Sequence, residues 1–250
     1  MGSTRKSPNR TRLVFDPSGI NWDDDASIER WTRQVWQYTT QRWGNGMASA
    51  PTVRLTSRYT EAVAFASELH ASQARKGTSI PYIAHLLGAS SLVLEAGGDE
   101  DEAIAGLLHD AVEDGGGLPT LEIIRARFGG RVAEIVLLCS DSVDEEWKRN
   151  TPYWVRKQAY LDHLEESADT RAVLVSIADK VHNARAIVTD LQRHGASVLK
   201  KFNGDSGEIL TYYVECLRIA ADKQISETLL WPLHKAVVEI DQYVMRVHAA

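Results

Sequence analysis

The stretch "TRAVLVSIADKVHNARAIV", residues 170–188, constrains the fold more than any other part of the chain. At 100° per residue, Val173, Leu174, Val175, Ile177, Val181, Ala184 and Val188 take most of the circumference of a helix. A helix that is apolar nearly all round has to be surrounded by other elements, so the chain needs a bundle built about it. Asp179 sits in the middle of this run, with Asn183 one turn later on the same face. The small Ala172, Ser176 and Ala186 flank them and leave room beside the carboxylate. Burying an unpaired carboxylate costs on the order of several kcal/mol, so Asp179 has to meet a cation or a set of donors. A structural ion pair with Arg or Lys would satisfy it, and so would a metal ion.

The remaining sequence can supply the bundle. Helical periodicity predicts helices near 58–76, 81–96, 99–114, 120–128, 131–141, 153–168, 170–194, 206–222 and 227–247, with very little strand alternation. Pro81 suits a first helical position, Gly97-Gly98 and Gly129-Gly130 suit C-terminal caps, and Thr120 and Thr170 suit N-caps. The fold class is therefore all-α. Another helix is expected at 27–43, capped by Ser27, before "GNGMASAP" breaks the chain near residue 51. Residues 1–50 thus read as an N-terminal extension and 51–250 as one domain. Four of the seven tryptophans lie in the extension, so it packs on something. Its own domain is the plainer choice; a partner, or a second copy in a homo-oligomer, is the alternative.

Composition excludes several function classes. Net charge is −6 and the Lys/Arg clusters are short, which argues against binding the backbone of duplex nucleic acid. An anionic ligand would need a local cationic pocket. No apolar run is long enough to span a bilayer, and the first twelve residues lack the apolar core of a signal peptide. Cys139 and Cys216 lie on apolar stripes without metal-like spacing, so free buried thiols and a cytoplasmic location are expected.

The window "AIAGLLHDAVEDGGG", residues 103–117, places Ile104, Leu107, Leu108, Ala111 and Val112 on one arc. His109, Asp110, Glu113 and Asp114 share the other arc, which taken alone is a solvated acidic face. His85, in "PYIAHLLGASSLVLEAG", shares an apolar face with Ala89, Leu92 and Ala96, and alone would be a satisfied core histidine. Counted together, His85, His109, Asp110 and Asp179 form a mixed nitrogen and oxygen set suited to manganese, zinc or iron. Separations of 24 and 69 residues would bring these ligands from three helices, as a metal site in a bundle core requires.

The order H…HD…D is the signature of the HD-domain metal-dependent phosphohydrolases. Beyond it, "HASQARKGTSIPYIAH", "LLHDAVED" and "IADKVHNARAI" closely resemble three motifs of the hydrolase domain of the RelA/SpoT homologues. That family removes pyrophosphate from the 3′ position of the alarmones ppGpp and pppGpp. The resemblance runs from about residue 57 to 195 and implies an HD-type helical bundle with the metal site in its core. It implies one manganese ion per chain, on His85, His109, Asp110 and Asp179. Glu113 and Asp114 match the acidic pair that handles the attacking water. Arg75 and Lys76 match the basic pair at the nucleotide site, and Asn183 a substrate-contacting asparagine.

Arg156 and Lys157, in "WVRKQAYLDHL", could extend the phosphate pocket, although a solvated face is expected for at least one of them. His70 and His182 fall within the motifs as structural or supporting residues, and Asp144, Glu145 and Glu146 read as loop. Since no synthetase motif follows, a small stand-alone alarmone hydrolase acting on a small-molecule nucleotide is expected. Three positions depart from the family pattern. Leu86 replaces a proline after the metal histidine, "EDGGG" lacks a threonine after the acidic pair, and Ala186 stands where a threonine often helps read the guanine. Two alternatives remain: a related hydrolase acting on another phosphorylated nucleotide, such as a nicotinamide dinucleotide phosphate, or a non-catalytic metal- or partner-binding module.

Overall fold

A computed structural model describes residues 52–140, 145–201 and 205–248. The helix expected at 27–43 and Asp144 lie outside the described residues. In chain order the helices are α1 (Ser57–Leu69), α2 (Ile83–Glu95), α3 (Glu100–Leu108), α4 (Ala111–Asp114), α5 (Leu118–Phe128), α6 (Gly130–Cys139), α7 (Glu145–Asn150), α8 (Tyr153–Glu166), α9 (Thr170–His194), α10 (Ser206–Asp222) and α11 (Glu227–His248). A 3-10 helix, Gly195–Lys201, links α9 to α10. Among the described residues there is no strand, only an isolated bridge between Ala74 and Pro81. No helix among them is long and apolar enough to cross a membrane.

α9 is the central member. Residues Ala172 to Val181 are buried without a break, and the helix packs against α2, α3, α6, α10 and α11. The ends of the helices follow local chemistry. Asp99 and Glu102 form a capping box at the start of α3, and Asp205 and Glu208 form another at the start of α10. At the end of α2, Gly97 takes φ 84°, which lets its N–H donate to Leu94 O and that of Gly98 to Val93 O.

Several boundaries differ from the sequence expectation. α1 stops at Leu69, and residues 70–82 form a tight loop closed by Arg75 N–H to Ile80 O (2.9 Å) and Tyr82 N–H to Gln73 O (3.0 Å). The helix expected at 99–114 breaks at His109–Asp110, where Asp110 adopts φ −94° and ψ −3°. Thr120 caps nothing: α5 starts earlier with Pro119 in its first turn, and the buried Thr120 hydroxyl donates to Gly115 O. Asp169, not Thr170, caps α9, accepting from the N–H groups of Arg171 and Ala172. Glu145 and Glu146, expected in a loop, open the short α7. Both cysteines are free and buried.

α2 and α3 approach closely because their crossing is made of small residues. A Cβ on Gly106 would lie 3.1 Å from Ser90 Cα, and Ser90 Oγ donates to Ala103 O at 2.8 Å. This crossing sets how far apart His85 and His109 can be.

Glu102 joins the starts of α3 and α9. Its carboxylate is 2 % exposed, accepts the Asp99 N–H, and takes two hydrogen bonds of 2.6 Å from Arg171. Arg171 keeps access to water, so its charge is not stranded when the partner is lost. Glu102→Ala should therefore lower stability by about 2 kcal/mol, the scale of a charge-assisted hydrogen-bond set. The expected signature is a lower urea midpoint with an unchanged slope.

Candidate active site

His85 from α2, His109 at the end of α3 and Asp179 from α9 meet in the core. Their potential ligand atoms all lie within 4.8 Å of one another. His85 Nε2 is 3.2 Å from His109 Nε2 and 3.1 Å from Asp179 Oδ1, and His109 Nε2 is 3.4 Å from that same oxygen. Asp110 Oδ2 joins from the helix break, 3.0 Å from His109 Nε2 and 3.6 Å from His85 Nε2. On an unbroken helix His109 and Asp110 would diverge by 100°; the break lets both face one point.

The donor set fits a divalent metal ion. His109 Nδ1 lies 2.9 Å from Gly106 O, an acceptor, so it carries the ring proton and leaves Nε2 bare in the neutral ring. Two imidazole nitrogens and two carboxylate oxygens then converge, an arrangement that repels itself until a proton or cation enters. Edges of 3.0–3.6 Å match those about an ion with bonds of roughly 2.1 Å, for which octahedral and tetrahedral edges are about 3.0 and 3.4 Å. The same field governs protonation. Burial disfavours the charged form of His109, but Asp110 and Asp179 outweigh it and hold its pKa well above the usual value. Burial likewise opposes ionisation of Asp179, and Lys180 and His109 overcome it, holding its pKa well below the carboxylate range.

Asp179 meets both kinds of partner that its burial allowed. Oδ2 accepts from Lys180 Nζ at 2.6 Å, while Oδ1 accepts from Asn183 Nδ2 at 2.6 Å and faces the imidazoles. The Tyr82 hydroxyl donates to Asp110 Oδ2 at 2.6 Å. Tyr82, Lys180 and Asn183 also line a cavity of about 520 Å³, which therefore abuts the His/Asp cluster.

Arg75, Lys76, Arg156 and Lys157 line the same cavity. The 70–82 loop delivers the first two, and Arg75 donates to Asn183 Oδ1 at 2.9 Å. α8 delivers the other two, so both face the cavity and the expectation of a solvated face for one is corrected. Lys157 Nζ lies 5.1 Å from the ring centroid of Tyr212 and 6.0 Å from that of Tyr153, two further lining residues.

The acidic pair divides. Glu113 is half-buried and lines the cavity. Asp114 is exposed, and its Oδ2 accepts from Gln73 Nε2 at 2.8 Å. Gln73 in turn accepts from His70 Nδ1 at 2.6 Å, which ties Asp114 to the buried end of α1.

Sequence reasoning missed Lys180, Tyr82 and Gln73. Tyr82 stands three residues before His85, a spacing that could have pointed to it. Lys180 gave no such signal, because a residue next to Asp179 on a helix is expected to point elsewhere.

Comparison with known proteins agrees with this architecture. Residues 62–204 match the HD domain family. The chain is 33 % identical over 177 residues to a probable guanosine-3′,5′-bis(diphosphate) 3′-pyrophosphohydrolase of Synechocystis, covering 70 % of this chain and 21 % of that protein. It is 35 % identical over 123 residues to the guanosine-3′,5′-bis(diphosphate) 3′-pyrophosphohydrolase of Aquifex aeolicus, covering 49 % and 17 %. The chain thus spans about a fifth of the length of these relatives. A solved structure of a metazoan SpoT ortholog, described as hydrolysing ppGpp, shares the fold with a TM-score of 0.58 at 24 % identity, covering 75 % of this chain and 98 % of that one. With more than half of its length matched to one family, and with an H…HD…D cluster at its core, the chain belongs to the HD domain family.

Proposed function

We propose that this chain is a manganese-dependent (p)ppGpp 3′-pyrophosphohydrolase, releasing pyrophosphate and GDP or GTP. The observation that carries this reading is the junction of a cationic cavity with the His/Asp cluster, in a chain whose net charge is −6. Arg75, Lys76, Arg156 and Lys157 gather where a phosphate-rich ligand would sit, and the names of the Synechocystis and Aquifex relatives point to the alarmones.

A divalent ion on His85, His109, Asp110 and Asp179 would acidify a water and polarise a phosphoryl oxygen, and the mixed donor set suits manganese. The protein's own groups do the rest. Arg75 has a guanidinium fork for phosphate and is oriented by Asn183; Lys76 and Arg156 add positive charge around it. Glu113, facing the cavity, takes a proton from the attacking water, and Asp114, steered by Gln73, completes the acidic pair. Water adds to the phosphorus next to the ribose 3′ oxygen and the bond to that oxygen breaks. The 3′ oxygen takes up a proton and pyrophosphate leaves. Ala186, which lines the cavity without a hydroxyl to offer a base, favours one second reading: a different phosphorylated nucleotide, such as a nicotinamide dinucleotide phosphate.

The test is incubation with ppGpp and manganese, with the products identified. GDP and pyrophosphate are expected, and exhaustive chelation should abolish turnover. Release of inorganic phosphate alone, or full turnover in protein shown by elemental analysis to be metal-free, would overturn the proposal.

A further inference from the structure

We infer that His182 is a positioning residue for the metal centre: it orients His85 from a socket that Gly88 keeps open. The inference rests on the His/Asp cluster holding a divalent ion. His85 Nδ1 lies 2.9 Å from His182 Nδ1, while His85 Nε2 faces Asp179, Asp110 and His109. One of two facing Nδ1 atoms has to carry the proton. For His85 to present a lone pair to an ion through Nε2, its own Nδ1 must be protonated, so His182 Nδ1 is the acceptor. This hydrogen bond fixes both the tautomer of His85 and the rotation of its ring.

The second observation is steric. Gly88 is one turn beyond His85 on α2, and a Cβ built there would lie 2.3 Å from both Cδ2 and Nε2 of His182. The His182 ring therefore occupies the space that any larger residue would fill. Its own helix, α9, also supplies Asp179 three residues earlier, so one helix provides a ligand directly and orients another across the interface. The two rings lie 4.8 Å apart between centroids, tilted by 52°.

The experiment is a manganese titration of wild-type protein and the variants His182→Ala, His182→Asn and Gly88→Ala, with circular dichroism to confirm that each folds. Loss of an orienting partner commonly lowers metal affinity by about 10–100-fold, and His182→Ala should fall in that range. Asparagine carries an acceptor close to the position of Nδ1, so His182→Asn should recover much of the affinity. Gly88→Ala retains all the histidines but displaces the His182 ring, and should lose affinity as His182→Ala does. A general packing role would make His182→Asn no better than alanine, and that result would overturn the inference. Wild-type affinity in His182→Ala would overturn it too, leaving the metal centre standing. A wild-type protein that takes up no manganese would remove the centre and the inference together.

Discussion

Asp179→Ala is expected to cost the protein its metal affinity and about 3–5 kcal/mol of metal-free stability, the scale for removing one partner of a buried ion pair. The side chains of Asp179 and Lys180 are only 6 % and 10 % exposed, and the substitution would remove the carboxylate that accepts from the lysine ammonium at 2.6 Å. It would also leave Asn183 Nδ2 without its acceptor, and Asn183 is the residue that orients Arg75. Asp179→Asn preserves shape and a carbonyl acceptor, so it should stay folded while binding metal weakly. Urea unfolding of metal-free protein and metal stoichiometry measure the two effects separately. If Asp179→Ala unfolds at the wild-type midpoint and keeps its metal, the residue is neither ligand nor ion-pair partner.

The second large effect separates the two halves of the acidic segment. Asp110→Ala should empty or loosen the metal site, because Asp110 Oδ2 lies among the converging ligand atoms. Glu113→Gln combined with Asp114→Asn should keep metal, fold and nucleotide affinity, since shape is preserved and neither carboxylate is a member of the cluster. Its turnover should nevertheless fall by about 10²–10⁴-fold, the usual worth of general-base help. Metal content, nucleotide affinity and rate are the three measurements. A double variant that loses metal as Asp110→Ala does would place the acidic pair in the coordination set. One that hydrolyses ppGpp at the wild-type rate would reduce the pair to a solvated face.

The central helix was legible because its burial is written into its composition: an aspartate amid valines has few other places to go. His85 and His109 were legible only as a set, since each alone fits a core position. What hid from the sequence was backbone detail. Periodicity carried α1 through residue 76, yet the chain turns at His70 and uses Gly77 at φ 76° to bring Arg75 and Lys76 round to the cavity. Nor does a helical wheel show that Asp110 and His109 aim together, because a wheel assumes the continuity that the break removes. Lys180 escaped for a related reason: a long flexible stem can return its ammonium to a neighbouring carboxylate against the direction of its Cα–Cβ bond.

α9 also acts as a ruler. Asp179 stands at the His/Asp cluster and Asp190, eleven residues on, lines the cavity from the same helix, so the two are about 16 Å apart along the axis. Neither mark can move without the other, because the helix between them is packed on several sides. A molecule anchored by a phosphate at the first mark has to extend most of that length to touch the second. Inorganic pyrophosphate is too short to do so. A nucleoside bearing phosphates on opposite sides of its ribose would be long enough, so reach would separate these two ligands before any base is read.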